Sequence, residues 1–250
     1  MKVQAVLMGV AMFTSVACVA VAQEAAPPPA TPPADAPAAQ PGDRVAQIKE
    51  SLAASKAALK SYEWVETTTV SLGGEEKARN ENRVYYGAEG TLQKVPLAPD
   101  AKEEKKKRGL RGKAVENKKE ELAASMKEAV ALLRQYAPLD PAKIQAAKDA
   151  GNLSISTPAP DGGVKVTIKN YLKAGDEVTI DIDGAKNTLK GFGISSYVGD
   201  ATAKEKSPVT AAIAYAALPD GTIYPAKESL VISAQKLSVD IQNSGYKKQG

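Results

Sequence analysis

Apolar side chains recur along this chain with two different periods, and the change from one to the other marks out its elements. Val45, Ile48, Leu52 and Leu59 follow one another at three- and four-residue steps, with Arg44, Lys49, Glu50 and Lys56 largely off that stripe. The spacing predicts an amphipathic helix of about 16 residues with Asp43 as its N-cap. From Ser61 the period drops to two. Tyr62, Trp64, Val70 and Leu72 share one face, and Glu63, Thr67, Thr69 and Ser71 take the other. Gly73-Gly74 turns the chain into a polar partner strand ending at Val84-Tyr85-Tyr86, and the turn Gly87–Gly90 leads to a further strand over Thr91–Leu97.

Helical spacing returns in the middle of the chain. Asn117 and Glu120 have the spacing of a capping box, ahead of a stripe of Leu122, Met126, Val130 and Leu133. Asp140-Pro141 opens a shorter helix that Gly151 ends. The remainder alternates again: Val164, Val166, Ile168, then Val178, Ile180, Ile182 before the hairpin signal Asp183-Gly184. Gly191 and Gly193 around Phe192 imply a bulge or bend. Val209–Ala217 is followed by the turn Pro219-Asp220-Gly221 and by a long strand from Leu230 to Ile241, whose alternation changes phase near Ala234–Lys236 as a bulge would make it. Alternation of this kind belongs to antiparallel sheets with one covered face. The expected fold class is therefore α+β: one strongly curved antiparallel sheet of about nine to eleven strands, a half-open β-barrel. Its concave face would be covered by the N-terminal helix and a helical insertion near residues 115–150.

What precedes the first helix sets the compartment. Lys2 followed by the apolar run Ala5–Val19 and the small-residue site Ala20-Val21-Ala22 has the form of a signal peptide over residues 1–22, cleaved after Ala22. The protein is then exported and periplasmic. Ser15-Val16-Ala17-Cys18 offers a second outcome, a membrane-tethered lipoprotein lipidated on Cys18, although Ser15 replaces the branched residue of a lipobox. Residues 23–42 hold seven Pro and seven Ala, an extended disordered tether. A single domain then occupies residues 43–250. It has no cysteine, so it must be held by its core.

Composition removes many chemistries. There is no histidine in the 250 residues, which excludes Ser-His-Asp and Cys-His machinery and imidazole metal ligands. Without Lys2 the chain has 32 cationic and 29 anionic side chains, too small an excess to argue for nucleic acid. Asp181 and Asp183 beside Gly184 lack the further oxygen ligands of a calcium loop and are better explained by the hairpin. No metal or cofactor is expected. An enzyme working with Asp, Glu and Lys alone is the weakest of the functional classes.

Glu66 is the most informative position, a carboxylate in the row of Tyr62, Trp64, Val70 and Leu72. Either a cation of a neighbouring strand pairs with it, or it is a polar anchor at the rim of an apolar pocket. Candidate ligand-lining residues are Tyr62, Trp64, Glu66, Val70, Tyr85 and Phe192, with core packing as the competing role for the aromatic ones. Lys105, Lys106, Lys107, Arg108 and Arg111 form a cationic run, either a solvated loop or a patch for an anionic membrane surface.

The Ser61–Leu72 and Val84–Leu97 strand-turn sequences and the closing Leu230–Tyr246 segment, in this element order after an export signal, resemble the lipoprotein-carrier (LolA-like) fold. The resemblance implies an unclosed barrel whose helices cover an apolar cavity that takes lipoprotein acyl chains. The expected function is a non-enzymatic envelope protein sheltering an acyl chain or lipoprotein. The alternative is a structural or regulatory interaction module with a solid core and no ligand.

Overall fold

The structure, a computed structural model, describes residues 41–97, 110–160, 162–199 and 206–249. Helix α1 (Pro41–Ala58) leads through a 3-10 turn into β1 (Tyr62–Leu72), β2 (Glu75–Tyr86) and β3 (Leu92–Pro96). Helices α2 (Leu110–Leu133) and α3 (Pro141–Asp149) follow, and then β4 (Leu153–Ile155), β5 (Gly163–Lys169), β6 (Glu177–Asp183) and β7 (Thr188–Val198). The chain ends with β8 (Ser207–Ala217), β9 (Ile223–Ile232) and β10 (Leu237–Lys248).

All ten strands form one antiparallel sheet, in the order β3-β2-β1-β10-β9-β8-β7-β6-β5-β4. The sheet is not closed. Its two edges, β3 and β4, are consecutive in sequence, so the chain between them must travel from one edge to the other. Nine inter-strand gaps of about 4.8 Å make roughly 43 Å. A 24-residue helix such as α2 covers about 36 Å of such a path at 1.5 Å per residue. The insertion is thus a crossing element, and its apolar stripe has a sheet face to meet.

That meeting forms the core. Met126, Ala129, Val130, Leu132 and Leu133 of α2 are buried in one cluster with Ile168, Val178, Ile194, Val209, Leu230, Ile232, Leu237, Val239 and Ile241. Register explains why so many strands contribute. Leu153, Ile168, Val178, Ile194, Ala211, Leu230, Val239 and Val70 are successive cross-strand partners, one apolar row across eight strands. Such pairs are the stabilising unit of a sheet. Helix α1 packs against β9 and β7. Its Ser55 hydroxyl accepts a hydrogen bond from the Ile223 backbone N–H at 3.0 Å.

Three boundaries differ from the sequence reading. Helix α1 starts at Pro41, so Asp43 falls inside it and is not its N-cap. Helix α2 starts at Leu110, so Asn117 and Glu120 fall inside it. Leu110, Arg111, Lys113 and Ala114 are all good helix formers, and nothing in Leu110–Glu116 stops the helix. The expected long strand from Leu230 to Ile241 is two strands. A 3-10 turn at Ser233–Gln235, closed by Lys236 in the left-handed region, reverses the chain there. The change of phase marks a turn and not a bulge. The irregularity expected around Gly191 is present: Asp181 pairs with Gly191 and Ile182 with Leu189, so β7 carries an extra residue there and continues through Gly193. A Cβ at Gly193 would run into Thr179 Oγ1, so this glycine is a close-approach position. Other local signals hold. Asp140 caps α3 by accepting from the Ala142 N–H at 2.9 Å, and Asp183 Oδ1 accepts from Ala185 and Lys186 N–H at 3.1 Å each in the hairpin turn.

Candidate functional site

The row beside the apolar one is interrupted by a charge. Ile155, Val166, Ile180, Phe192, Ile213, Glu228, Ile241 and Thr68 are successive cross-strand partners. Glu228 therefore stands between Ile213 and Ile241, and it is only 7% exposed. Its Oε2 has no hydrogen-bond partner among the described residues. Desolvation is the main cause that pushes its carboxyl up to about 7; the Glu66 charge adds to this and Lys94 opposes it.

Glu228 borders an apolar cleft whose lining comes from strands alone: Phe192 and Ile194 of β7, Ala211, Ala212 and Ile213 of β8, Glu228, Ser229 and Leu230 of β9, Val239 and Ile241 of β10. The cleft has about 350 Å³ of atom-free space, open in part to solvent, with a water-sized room of only about 20 Å³. The small side chain of Ala211 leaves this gap, because its cross-strand neighbours in the row are the larger Ile194 and Leu230.

On the other flank of Glu228 lies a polar and aromatic group. Glu66 is buried, and Lys94 Nζ donates to both of its oxygens at 2.6 Å. Lys94 comes from β3, two strands away, and reaches it across β2, where Asn82 pairs with Glu66 and Val84 with Lys94. Trp64 is stacked on Tyr246 at 5.3 Å and tilted against Tyr86 at 6.1 Å, and Tyr246 meets Tyr224 at 4.3 Å. Trp64 Nε1–H donates to Asn243 Oδ1 at 3.1 Å, and Asn243 donates in turn to the Pro225 carbonyl at 2.9 Å. Burial raises the hydroxyl pKa of Tyr246, and with Glu228 it pushes that of Tyr215 up to about 12. Tyr62 donates to Asp220, whose carboxyl is held down to about 2 by that bond and by Thr222.

Of the residues proposed from sequence, Tyr62, Trp64 and Glu66 lie in this group and Phe192 lines the cleft. Val70 packs against the core cluster, one row away. Tyr85 is on the opposite face: strand alternation turns it away from buried Val84, and the Arg83 guanidinium sits 5.3 Å from its ring. Cys18 and Lys105, Lys106, Lys107 and Arg108 lie outside the described residues, and Arg111 falls in the first turn of α2. Glu66 has the cation partner that one of its two readings required. Glu228 was missed. The same signal is present, because Glu228, Leu230 and Ile232 alternate, but β9 begins at Ile223, seven residues before the start that the pattern predicts.

Replacing Lys94 with Met is expected to destabilise the fold by about 2 kcal/mol, less than the loss at a fully buried pair, because the Lys94 side chain keeps some contact with solvent. Urea unfolding at pH 8 would show it, and Glu66→Gln in the same chain should restore most of the loss. An unchanged midpoint in the single variant would mean that the pair contributes nothing.

Among the described residues no group of three or more acidic or cysteine side chains is placed to hold a metal, and no helix is long and apolar enough to cross a membrane. No protein-family profile matches the chain, and no curated protein matches it either. Solved structures do resemble it. They include a LolA superfamily protein from Nitrosomonas europaea (8% identity, 81% of this chain and 94% of that one, TM-score 0.35). An outer membrane lipoprotein-sorting protein domain from Vibrio parahaemolyticus is similar at 7% identity over 82% of this chain and 93% of that one, TM-score 0.35. A DUF1329 family protein from Desulfovibrio piger is similar at 8% over 83% and 91%, TM-score 0.35. At such identities the likeness concerns the path of the chain.

Proposed function

We propose that the protein is a non-enzymatic, exported envelope protein that shelters the apolar part of a ligand, an acyl chain or a lipoprotein, along the sheet face between Phe192 and Ile241. The observation that carries this reading is a cleft whose walls are almost wholly apolar and whose one ionisable side chain, Glu228, has an Oε2 without a hydrogen-bond partner among the described residues. A buried carboxylate without a partner is costly, and a site that keeps one has a use for it at the polar end of a ligand. Loading requires the cleft to widen beyond one water-sized room, by bending of the sheet or by displacement of α2 from its face. Export follows from the signal over residues 1–22, with tethering through Cys18 as the other outcome.

The narrowness of the cleft also favours a second reading, a structural or regulatory module with a packed interior. Native mass spectrometry of protein purified from the envelope separates the two. Sheltering predicts adducts of lipid mass that are lost from Ala211→Phe, whose ring fills the cleft. A bare polypeptide mass in the unsubstituted protein would instead leave the interaction module standing.

A further inference from the structure

The ligand's polar end can be read from what Glu228 lacks. Among the described residues its Oε2 has no hydrogen-bond partner, and the nearby cation, Lys94, directs its hydrogen bonds to the two oxygens of Glu66. Its cross-strand neighbours on either side are Ile213 and Ile241. We propose that Glu228 is the head-group contact of the cleft: as a neutral carboxylic acid it donates one hydrogen bond to the ester carbonyl of a bound acyl chain, and loading takes up the proton from solvent. This rests on the acyl-sheltering reading above.

Three considerations favour a carbonyl over a cationic head. A neutral carboxyl has one O–H to give and an ester carbonyl accepts it, so the pair is complete. An ammonium would bring three donors to a floor whose other groups are almost all apolar. An acyl chain laid over Ile213 and Ile241 also removes the remaining solvent from Glu228, which favours its uncharged form further. The titratable groups that face it are Glu66 from β1, Lys94 from β3, Tyr215 from β8 and Tyr246 from β10. The charged side chains Lys49, Glu50 and Lys56 of α1, which packs on β9, are exposed. With the free carboxyl at about 7, half of the molecules are ionised near neutrality and must gain a proton on loading.

The test uses the mature chain with three probes: diphenylhexatriene, which has no head group, 1-monopalmitoylglycerol and hexadecylamine. Binding is followed by fluorescence and by calorimetry in buffers of different ionisation enthalpy. The proposal expects the ester to bind with about half a proton taken up at pH 7. Its affinity should fall as pH rises to 8.5. Glu228→Gln, which keeps a donor, should bind the ester without pH dependence or proton uptake. Glu228→Leu should lose about tenfold for the ester, a neutral hydrogen bond's worth, but not for diphenylhexatriene. Ester binding without proton uptake, or unaltered in both variants, overturns the proposal while the sheltering reading stands. Tighter binding of hexadecylamine with ester binding absent overturns it in favour of a cationic head. If no probe binds, both readings fall together.

Discussion

Asp176→Ala is expected to be the most damaging single substitution in the described chain, lowering unfolding stability by about 4 kcal/mol. Asp176 is 1% exposed and directly precedes β6. Its carboxylate accepts from the backbone N–H groups of Tyr171 (2.6 Å), Leu172 (3.0 Å) and Lys173 (2.9 Å), and from the Tyr136 hydroxyl (2.6 Å). Tyr136 follows α2, is fully buried, and also bonds Ser196 of β7 at 2.7 Å. Tyr171 packs on Tyr136 at 5.9 Å and accepts from the Asp140 N–H that starts α3. One carboxylate thus ties the β5–β6 connection to the end of α2, the start of α3 and β7. Alanine would remove the acceptor of four donors, two of them, the Tyr136 hydroxyl and the Tyr171 N–H, fully buried, so that those bonds to a carboxylate are lost without water to replace them. Tyr136→Phe removes only one of the four and should cost about 1–2 kcal/mol, and the two substitutions together should cost less than their sum. Urea unfolding of the three variants checks this, and an Asp176→Ala midpoint within error of the parent would reject it.

Much of the architecture was legible because alternation is a local property. The row from Leu153 to Val70 is visible as period-two patterning in each strand separately, and so the antiparallel class and the strand number could be read. The pairing of β1 with β10 was not. It joins residues such as Val70 and Val239 across most of the chain, and no local signal specifies it. The same divide runs through the site. Glu66 stood out because its own strand is otherwise apolar, yet its partner Lys94 is two strands away and was unmarked. Tyr85 is aromatic but of the wrong parity for the cleft, since Val84 beside it fixes its face. Glu228 fell in a stretch left without an element, since Pro225 and a register shift at Ala214/Tyr215 blur the start of β9. Tight turns were read more safely than caps: Asp183-Gly184 depends on one residue's side chain, whereas the start of α2 depends on everything ahead of it.

Glu228→Gln should stabilise the protein at alkaline pH and leave it almost unchanged in acid. In the unfolded chain a glutamate titrates near 4.5, and in the fold this one titrates near 7. Between those values the folded state holds a proton that the unfolded state has released, so stability falls as pH rises through the window and is level above it. The separation corresponds to about 3 kcal/mol, at about 1.4 kcal/mol per pH unit. The parent should therefore lose about that much between pH 4.5 and 7.5 through this group. Glutamine keeps the shape and one donor without a charge to desolvate, and its profile should lack that fall. The gain over the parent would grow from near zero at pH 4.5 to about 3 kcal/mol at pH 8. Asp220 and Glu63 slope the other way, because hydrogen bonds and cations lower their carboxyl pKa values, but they act below the ordinary carboxylate range and are common to both proteins. The difference between the two curves isolates Glu228. If the curves stay parallel from pH 4.5 to 8, the carboxyl is not buried in its charged form, and the cleft is wetter than its lining of Phe192, Ile213 and Ile241 implies.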